Sequence, residues 1–230
     1  GKFWNILFRV YNKLFSWLLF GTPDVITLYG KSLVPYAIKA GVPERKIKVI
    51  STGIDSRKYS QKEKQKNSFD IRKELNIKQD TPIVLYAGLI IPRKGIDKII
   101  RIADKLRNED IVFLLAGDGP KRKQYEREVE ELGLDSKVLF LGWRTDMHKI
   151  YQATDLVLLP SEGEGLPGVV MEAMSYGIPC VASNIPCIPD LIENSKSGLL
   201  CNKDDVKEFV ARVNELAKNK TRRDKVGKEA

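Results

Sequence analysis

From Ser68 onward the chain carries six short runs that are apolar throughout rather than alternately apolar and polar: Ile83–Ala87, Ile111–Ala116, Val138–Leu141, Leu156–Leu159, Cys180–Ala182 and Leu199–Cys201. A strand with one wet face alternates; a strand that is apolar on both faces needs cover on both, as in a parallel sheet. Between and after the runs lie stretches with helical periodicity, at Ile96–Leu106, Lys121–Leu132, Met147–Ala153, Val169–Tyr176, Asp190–Asn194 and Asp204–Lys218. Repeated strand–helix units predict an α/β fold with a doubly wound, Rossmann-like parallel sheet. Its ligands bind outside the carboxyl ends of the strands.

The first 53 residues read as a smaller, separate part. It holds an apolar helix at 3–20, a strand Val25–Leu28, a helix Ser32–Ala40 and a strand Ile47–Ile50. Gly41-Val42-Pro43 stops the second helix, with glycine just past its end and proline beyond. Residues 54–67 are polar, lysine-rich and without period, and read as a linker to a main domain at 68–230. The segment Phe3–Phe20 is interrupted by Asn5, Arg9, Asn12, Lys13 and Ser16. It therefore lacks the run of about 18 apolar residues that a membrane span needs. Two readings remain for it: a buried domain helix, which we favour, or an amphipathic helix in a membrane interface anchored by Trp4 and Trp17.

Lys and Arg outnumber Asp and Glu by 39 to 30, a net charge of +9. Such a balance suits phosphate-bearing ligands, anionic membrane surfaces or nucleic acid, and does not choose among them. No interleaving of aromatic and basic residues and no nucleic-acid motif is present, so a nucleic-acid partner is not expected. Cys180, Cys187 and Cys201 have no metal-ligand spacing, and a reducing cytoplasmic setting fits them better than a disulfide framework. His148 is the single histidine, which argues against a histidine metal cluster or a Ser-His-Asp triad within these residues. No metal is expected.

The loops after the strands carry the chemistry. After Ile83–Ala87 comes Gly88-Leu89-Ile90-Ile91-Pro92-Arg93-Lys94-Gly95, two cations and a glycine before a helix, which can hold a phosphate. After Ile111–Ala116 comes Gly117-Asp118-Gly119-Pro120, where glycine lets the backbone turn tightly against a ligand. This is not G-x-G-x-x-G, and its absence argues against an NAD enzyme. After Leu156–Leu159 comes Pro160-Ser161-Glu162-Gly163-Glu164-Gly165-Leu166-Pro167-Gly168-Val169-Val170-Met171-Glu172. Free amides at the start of that helix can meet a diphosphate. Glu164 and Glu172 suit hydroxyl-rich groups, because a carboxylate accepts two hydrogen bonds from adjacent hydroxyls.

Glu164 and Glu172 enclose seven residues, and the stretch resembles the Glu–seven–Glu signature of the family 4 retaining glycosyltransferases, which have the two-domain GT-B fold. The Arg93-Lys94-Gly95 loop, Gly117–Pro120, Phe140–Gly142, Gly177-Ile178-Pro179 and Ile47–Asp55 fall in that family's order and spacing. The resemblance covers nearly the whole chain. It implies that 68–230 is the donor-binding domain and that 1–53 is the end of the N-terminal acceptor domain. Glu172 then resembles the carboxylate that binds the donor ribose. Glu164 resembles the one at the transferred sugar, where it helps stabilise positive charge at the anomeric carbon. Lys94, with Arg93, would neutralise the leaving diphosphate. Amides of Gly165, Leu166, Gly168 and Val169 would add to this, with Gly119 at the donor and Arg144 near the base. The implied reaction is metal-independent hexosyl transfer with retention, by front-face attack within the ion pair rather than by a covalent intermediate on Glu164. A nucleotide-diphosphate sugar, carrying UDP or GDP, is the implied substrate, with no further cofactor. The acceptor is a saccharide or lipid-linked molecule, as in polysaccharide assembly, and the setting is cytoplasmic with peripheral membrane contact.

Two departures from the family pattern stand out. Leu89 occupies a position where many members have arginine, and Pro167 stands where many have glycine and offers no N–H. The chain also reads as a fragment, with most of the acceptor domain and the closing helix missing, so it is expected to bind donor and to transfer poorly. Two competing readings are a sugar-nucleotide epimerase of the same fold and a non-catalytic nucleotide- or nucleic-acid-binding module.

Overall fold

A computed structural model describes Phe15, residues 19–55 and residues 71–230. The linker from residue 56 and most of the apolar segment at 3–20 lie outside the described residues. No helix among the described residues is long and apolar enough to cross a membrane. The chain divides into two units, one ending at Thr52 and one starting at Gly53.

In the first unit, β1 (Ile26–Leu28) and β2 (Ile47–Val49) pair in parallel, Ile26 opposite Ile47, with helix α1 (Val34–Lys39) between them in sequence. Gly41, at φ 100°, ends α1 as the sequence predicts. The Lys46 ammonium gathers the carbonyls of Gly21 at 2.6 Å and Pro23 at 2.9 Å.

The second unit is built on six parallel strands: β3 (Ile83–Ala87), β4 (Val112–Ala116), β5 (Val138–Gly142), β6 (Leu156–Leu159), β7 (Cys180–Ser183) and β8 (Leu199–Cys201). Their order across the sheet is β5-β4-β3-β6-β7-β8. The chain therefore starts at the centre, winds outward one way, returns and winds outward the other way. Such winding leaves a crevice at the carboxyl ends of β3 and β6, where the direction switches. Both faces of the sheet are covered: β6 and β7 are buried throughout, which explains why their sequences do not alternate.

Helices α2 (Ile71–Glu74), α3 (Ile96–Lys105), α4 (Arg122–Glu131), α5 (Met147–Ala153), α6 (Gly168–Ser175), α7 (Val206–Lys218) and α8 (Lys220–Glu229) connect and follow the strands. Each of the longer ones buries one face. On α7 the buried positions Phe209, Val213 and Leu216 are three or four residues apart. Its N-cap Asp205 accepts from the amides of Lys207 and Glu208 at 2.9 and 3.1 Å.

The helix expected at Asp190–Asn194 does not form; a turn at Asp190 and Leu191 leads to irregular chain at Ile192 and Glu193 and an isolated bridge from Asn194 to Gly198. Asn194 Oδ1 accepts from the amide of Leu200 at 2.9 Å, and Ser197 Oγ accepts from the amide of Glu193 at 3.0 Å. Ser197 thus takes an amide that a helix would have used, and Asn194 is tied instead to β8.

At the amino end of the sheet, Asp155 pins the two central strands together. Its carboxylate accepts from the Ile83 amide at 2.9 Å and from Arg72 and Arg223 at 3.0 Å each. The two strands whose far ends carry the crevice loops are thus tied at their near ends.

Candidate functional site

The crevice loops are residues 88–95 after β3 and 160–167 after β6. The first closes in a tight turn, Pro92–Lys94, and then Gly95 at φ 74° opens α3. A Cβ on Gly95 would stand 2.2 Å from the Pro160 carbonyl oxygen. Only glycine lets the first loop rest on the second.

Three successive residues of the second loop are then tied to the first. Glu162 donates its amide to the Arg93 carbonyl at 2.8 Å. The Arg93 guanidinium donates to the Gly163 carbonyl. Lys94 Nζ donates to both carboxylate oxygens of Glu164, at 2.8 and 2.7 Å, and Ser161 Oγ donates to Oε1 at 2.6 Å. The Glu164 side chain keeps 5% of its surface and that of Lys94 17%, so this charge pair is largely withdrawn from water. Beneath it lies Tyr86, whose hydroxyl donates to the Leu89 carbonyl at 2.7 Å. Burial, with the Glu164 charge adding to it, pushes the Tyr86 phenol well above its ordinary range.

The second loop feeds α6 through Pro167, whose extended backbone opens the helix. Gly168 and Val169 are its first two residues, where amides have no partner inside the helix. Glu172, one turn on, points back along the helix: its Oε1 lies 3.9 Å from where a Cβ on Gly168 would stand. The other oxygen accepts from the Tyr151 hydroxyl at 2.7 Å. Tyr151 is buried and stacks on Tyr176 with ring centroids 5.3 Å apart. The sequence reading places Tyr151 in an ordinary helix and misses this role.

Around the other strands the picture is mixed. A Cβ on Gly119 would stand 2.4 Å from the Ile90 carbonyl oxygen, so glycine is needed there to let the β4 loop pack on the β3 loop. Its amide donates to Asp118 Oδ1 at 2.7 Å. Gly142 turns the chain out of β5 at φ 69°, and Trp143 follows with 74% of its surface exposed. Arg144, expected beside a base, holds two carboxylates: Asp146 at 2.8 and 2.9 Å and Glu74 at 2.8 and 3.3 Å. Its hydrogen bonds hold both carboxyls below their ordinary range.

The structure thus brings Arg93, Lys94 and Glu164 together, and sets Gly165 and Leu166 on the loop leading to Gly168, Val169 and Glu172. It does not join Arg144 to them by a hydrogen bond. A cavity of about 930 Å³ opens elsewhere, between β5 and α4 beside Val129 and Phe140. None of the expected site residues lines it.

A parallel sheet wound in this order, with cations and carboxylates meeting at its switch point, defines a doubly wound ligand-binding domain of the GT-B kind. The chain belongs to the glycosyl transferases group 1, whose family model matches residues 67–230. It is 27% identical over 208 residues to the N-acetyl-alpha-D-glucosaminyl L-malate synthase of Bacillus anthracis, covering 90% of this chain and 54% of that protein. It is 30% identical over 175 residues to the UDP-Gal:alpha-D-GlcNAc-diphosphoundecaprenol alpha-1,3-galactosyltransferase of Escherichia coli, covering 74% of this chain and 44% of that one. The chain spans about half the length of these relatives. The solved structure of Anabaena HepE in complex with UDP and glucose superposes with a TM-score of 0.83 at 22% identity, over 96% of this chain and 61% of that one.

Proposed function

We propose that this chain is the donor-binding part of a retaining glycosyltransferase that moves a hexose from a nucleotide-diphosphate sugar to a hydroxyl of a saccharide or lipid-linked acceptor. The observation that carries this reading is the meeting of Lys94 with Glu164 at the switch point, four residues before a helix start that Glu172 overhangs. A lysine and free helix amides suit a diphosphate; carboxylates beside it repel phosphate and suit hydroxyls. A ligand that is anionic at its middle and hydroxyl-rich at both ends satisfies every group, and a nucleotide sugar has that pattern.

In this reading the diphosphate enters over the amides of Gly168 and Val169. Lys94, with Arg93, takes the charge that develops on it as the glycosidic bond breaks. Glu164, released from Lys94, faces the sugar and stabilises the positive anomeric carbon. Glu172, oriented by Tyr151, accepts from the two ribose hydroxyls. Arg144 and the exposed Trp143 ring stand at the end of β5 where the base would lie. Attack comes from the face the diphosphate leaves, giving retention without a metal.

UDP is our first choice of nucleotide, supported by the UDP-Gal named for the Escherichia coli relative and the UDP in HepE. The diphosphoundecaprenol in the name of that relative supports a lipid-linked acceptor and, with it, peripheral membrane contact.

Thermal melting with UDP, GDP, ADP, their sugar conjugates and NAD, beside a Glu172→Ala variant, tests the reading. A ligand at about a hundred times its dissociation constant stabilises by roughly 2.7 kcal/mol, a shift of a few degrees. One nucleotide diphosphate should raise the midpoint and the variant should lose the shift. A folded chain that no nucleotide stabilises, alone or with its acceptor domain restored, would falsify it.

A further inference from the structure

We propose that Lys98, Glu162 and Lys203 form a strap that fixes the β6 loop and so positions Glu164 for the sugar end of the donor. The strap rests on the donor-site reading above; its geometry does not.

Lys98 is out of place by two rules. It is the third residue of α3, at the positive end of the helix dipole, where a cation is disfavoured. It is also 6% exposed on a stretch that buries Ile96, Ile99 and Ile100. An ammonium so withdrawn costs several kcal/mol unless it is paired and hydrogen-bonded. Its pairing partners come from two other loops: it donates to Glu162 Oε1 and, at 2.8 Å, to the Lys203 carbonyl. Lys203, just after β8, returns its own ammonium to Glu162 Oε2 at 3.0 Å. Two loops and the first turn of α3, at the carboxyl end of the sheet, are thereby joined through one carboxylate, and the two ammonium groups hold that carboxyl below its ordinary range, Lys98 foremost.

Glu162 is fixed at both ends, by this carboxylate and by its amide on the Arg93 carbonyl. The next residue, Gly163, has open space where a Cβ would stand, so side-chain packing does not hold the loop there. The position of Glu164 therefore depends on the tie one residue before Gly163, on the Arg93 bond to the Gly163 carbonyl, and on its own bonds to Lys94 and Ser161. A diphosphate that takes Lys94 and Arg93 removes two of these ties, and the strap, with the Ser161 hydroxyl, then keeps Glu164 at the sugar. The two arms differ in weight. Lys203 is 37% exposed and its ion pair is screened by water; Lys98 is not.

Glu162→Gln leaves Lys98 buried without a counter-charge and risks misfolding, so Lys98→Met and Lys203→Met are the variants of choice. Binding of UDP, UDP-glucose, GDP and GDP-mannose is measured by calorimetry on each, with amide exchange by NMR on the unliganded chains. For Lys98→Met, affinity for the sugar conjugate should fall about tenfold, the scale of one charge-assisted hydrogen bond. Affinity for the bare nucleotide should stay within about twofold. The Glu162 amide should exchange at least about tenfold faster, while amides in β3 and β4 keep their protection. Lys203→Met should show the same pattern at about a third of the size or less. An unchanged conjugate-to-nucleotide ratio overturns the proposal, and so does equal loss of both probes, which marks a merely structural role. A parent chain that binds no probe refutes the donor-site reading instead. In that case unchanged protection of the Glu162 amide still refutes the strap, and its loss in Lys98→Met still supports it.

Discussion

Lys94 holds both oxygens of the Glu164 carboxylate, at 2.8 and 2.7 Å, across the two loops that flank the switch point. The cation proposed for the diphosphate and the carboxylate proposed for the sugar therefore neutralise one another in the unliganded chain. Lys94→Met should destabilise the chain by about 2 kcal/mol, less than the roughly 3–5 kcal/mol of a fully buried pair because Lys94 keeps some access to water. Adding Glu164→Gln should recover part of the loss, since it removes the stranded charge. Urea midpoints of the two single variants and the double variant decide this; equal losses that simply add would show that the pair is not coupled.

Tyr151→Phe removes one hydroxyl from a buried ring and nothing else. If the bond to Glu172 orients that carboxylate, nucleotide affinity should drop about tenfold, in line with a hydrogen bond to a charged group. The Tyr151–Tyr176 stack and the fold should persist, checked by near-ultraviolet circular dichroism alongside a nucleotide titration. Unchanged affinity would remove Tyr151 from the site.

Gly95→Ala is expected to be costly twice over. Its backbone is left-handed and its new methyl would meet the Pro160 carbonyl at 2.2 Å. A loss of about 3 kcal/mol or more in the denaturant midpoint is expected, because strain and overlap each contribute of order 1–3 kcal/mol. Gly163→Ala, with open space around it, should cost less than about 1 kcal/mol.

The Arg144 clamp gives the stability a signature in acid. Asp146 and Glu74 are held below their unfolded values, near about 3.9 and 4.3, chiefly by their hydrogen bonds to Arg144. Depressed carboxyls contribute stability that is complete above those unfolded values and is lost as pH falls through the folded ones. The gap in melting midpoint between the parent and Arg144→Met should thus be constant from about pH 7 to 5 and close below about pH 4. A gap that widens toward acid would contradict the clamp.

Much of this was legible in the residues. The uniformly apolar runs announced strands covered on both faces, and all six formed, three with the expected bounds and three with one end shifted by a single residue. The meeting of Lys94 with Glu164 follows once β3 and β6 are neighbours, which the repeated strand–helix pattern implies. Partners defined only in three dimensions were harder to see. Tyr151 looks like any core aromatic until α5 is laid beside α6. Lys98 did leave a trace, since a lysine in the first turn of a helix opposes the dipole, but its partners sit 64 and 105 residues away. The mistaken helix at Asp190–Asn194 came from weighing periodicity above the capturing power of Asn194 and Ser197. Arg144 was found at the expected end of β5, yet its engagement with Glu74 depends on α2, which no sequence pattern singled out.

The winding of the sheet has a consequence for how the domain can be taken apart. β3 is in register with β6 over two residue pairs, Val84–Leu156 and Leu85–Val157, with Asp155 bonded to Ile83 beside them, whereas β3 and β4 are aligned from Ile83–Val112 through to Ala87–Ala116. Cutting the chain between α5 and β6 yields one piece with Arg93 and Lys94 and another with Glu164 and Glu172. Each piece carries three adjacent strands and half of the crevice, so a molecule grasped by both halves would act as the bolt that rejoins them. Fused to the two parts of a reporter, these pieces would turn ligand concentration into a reassembly signal.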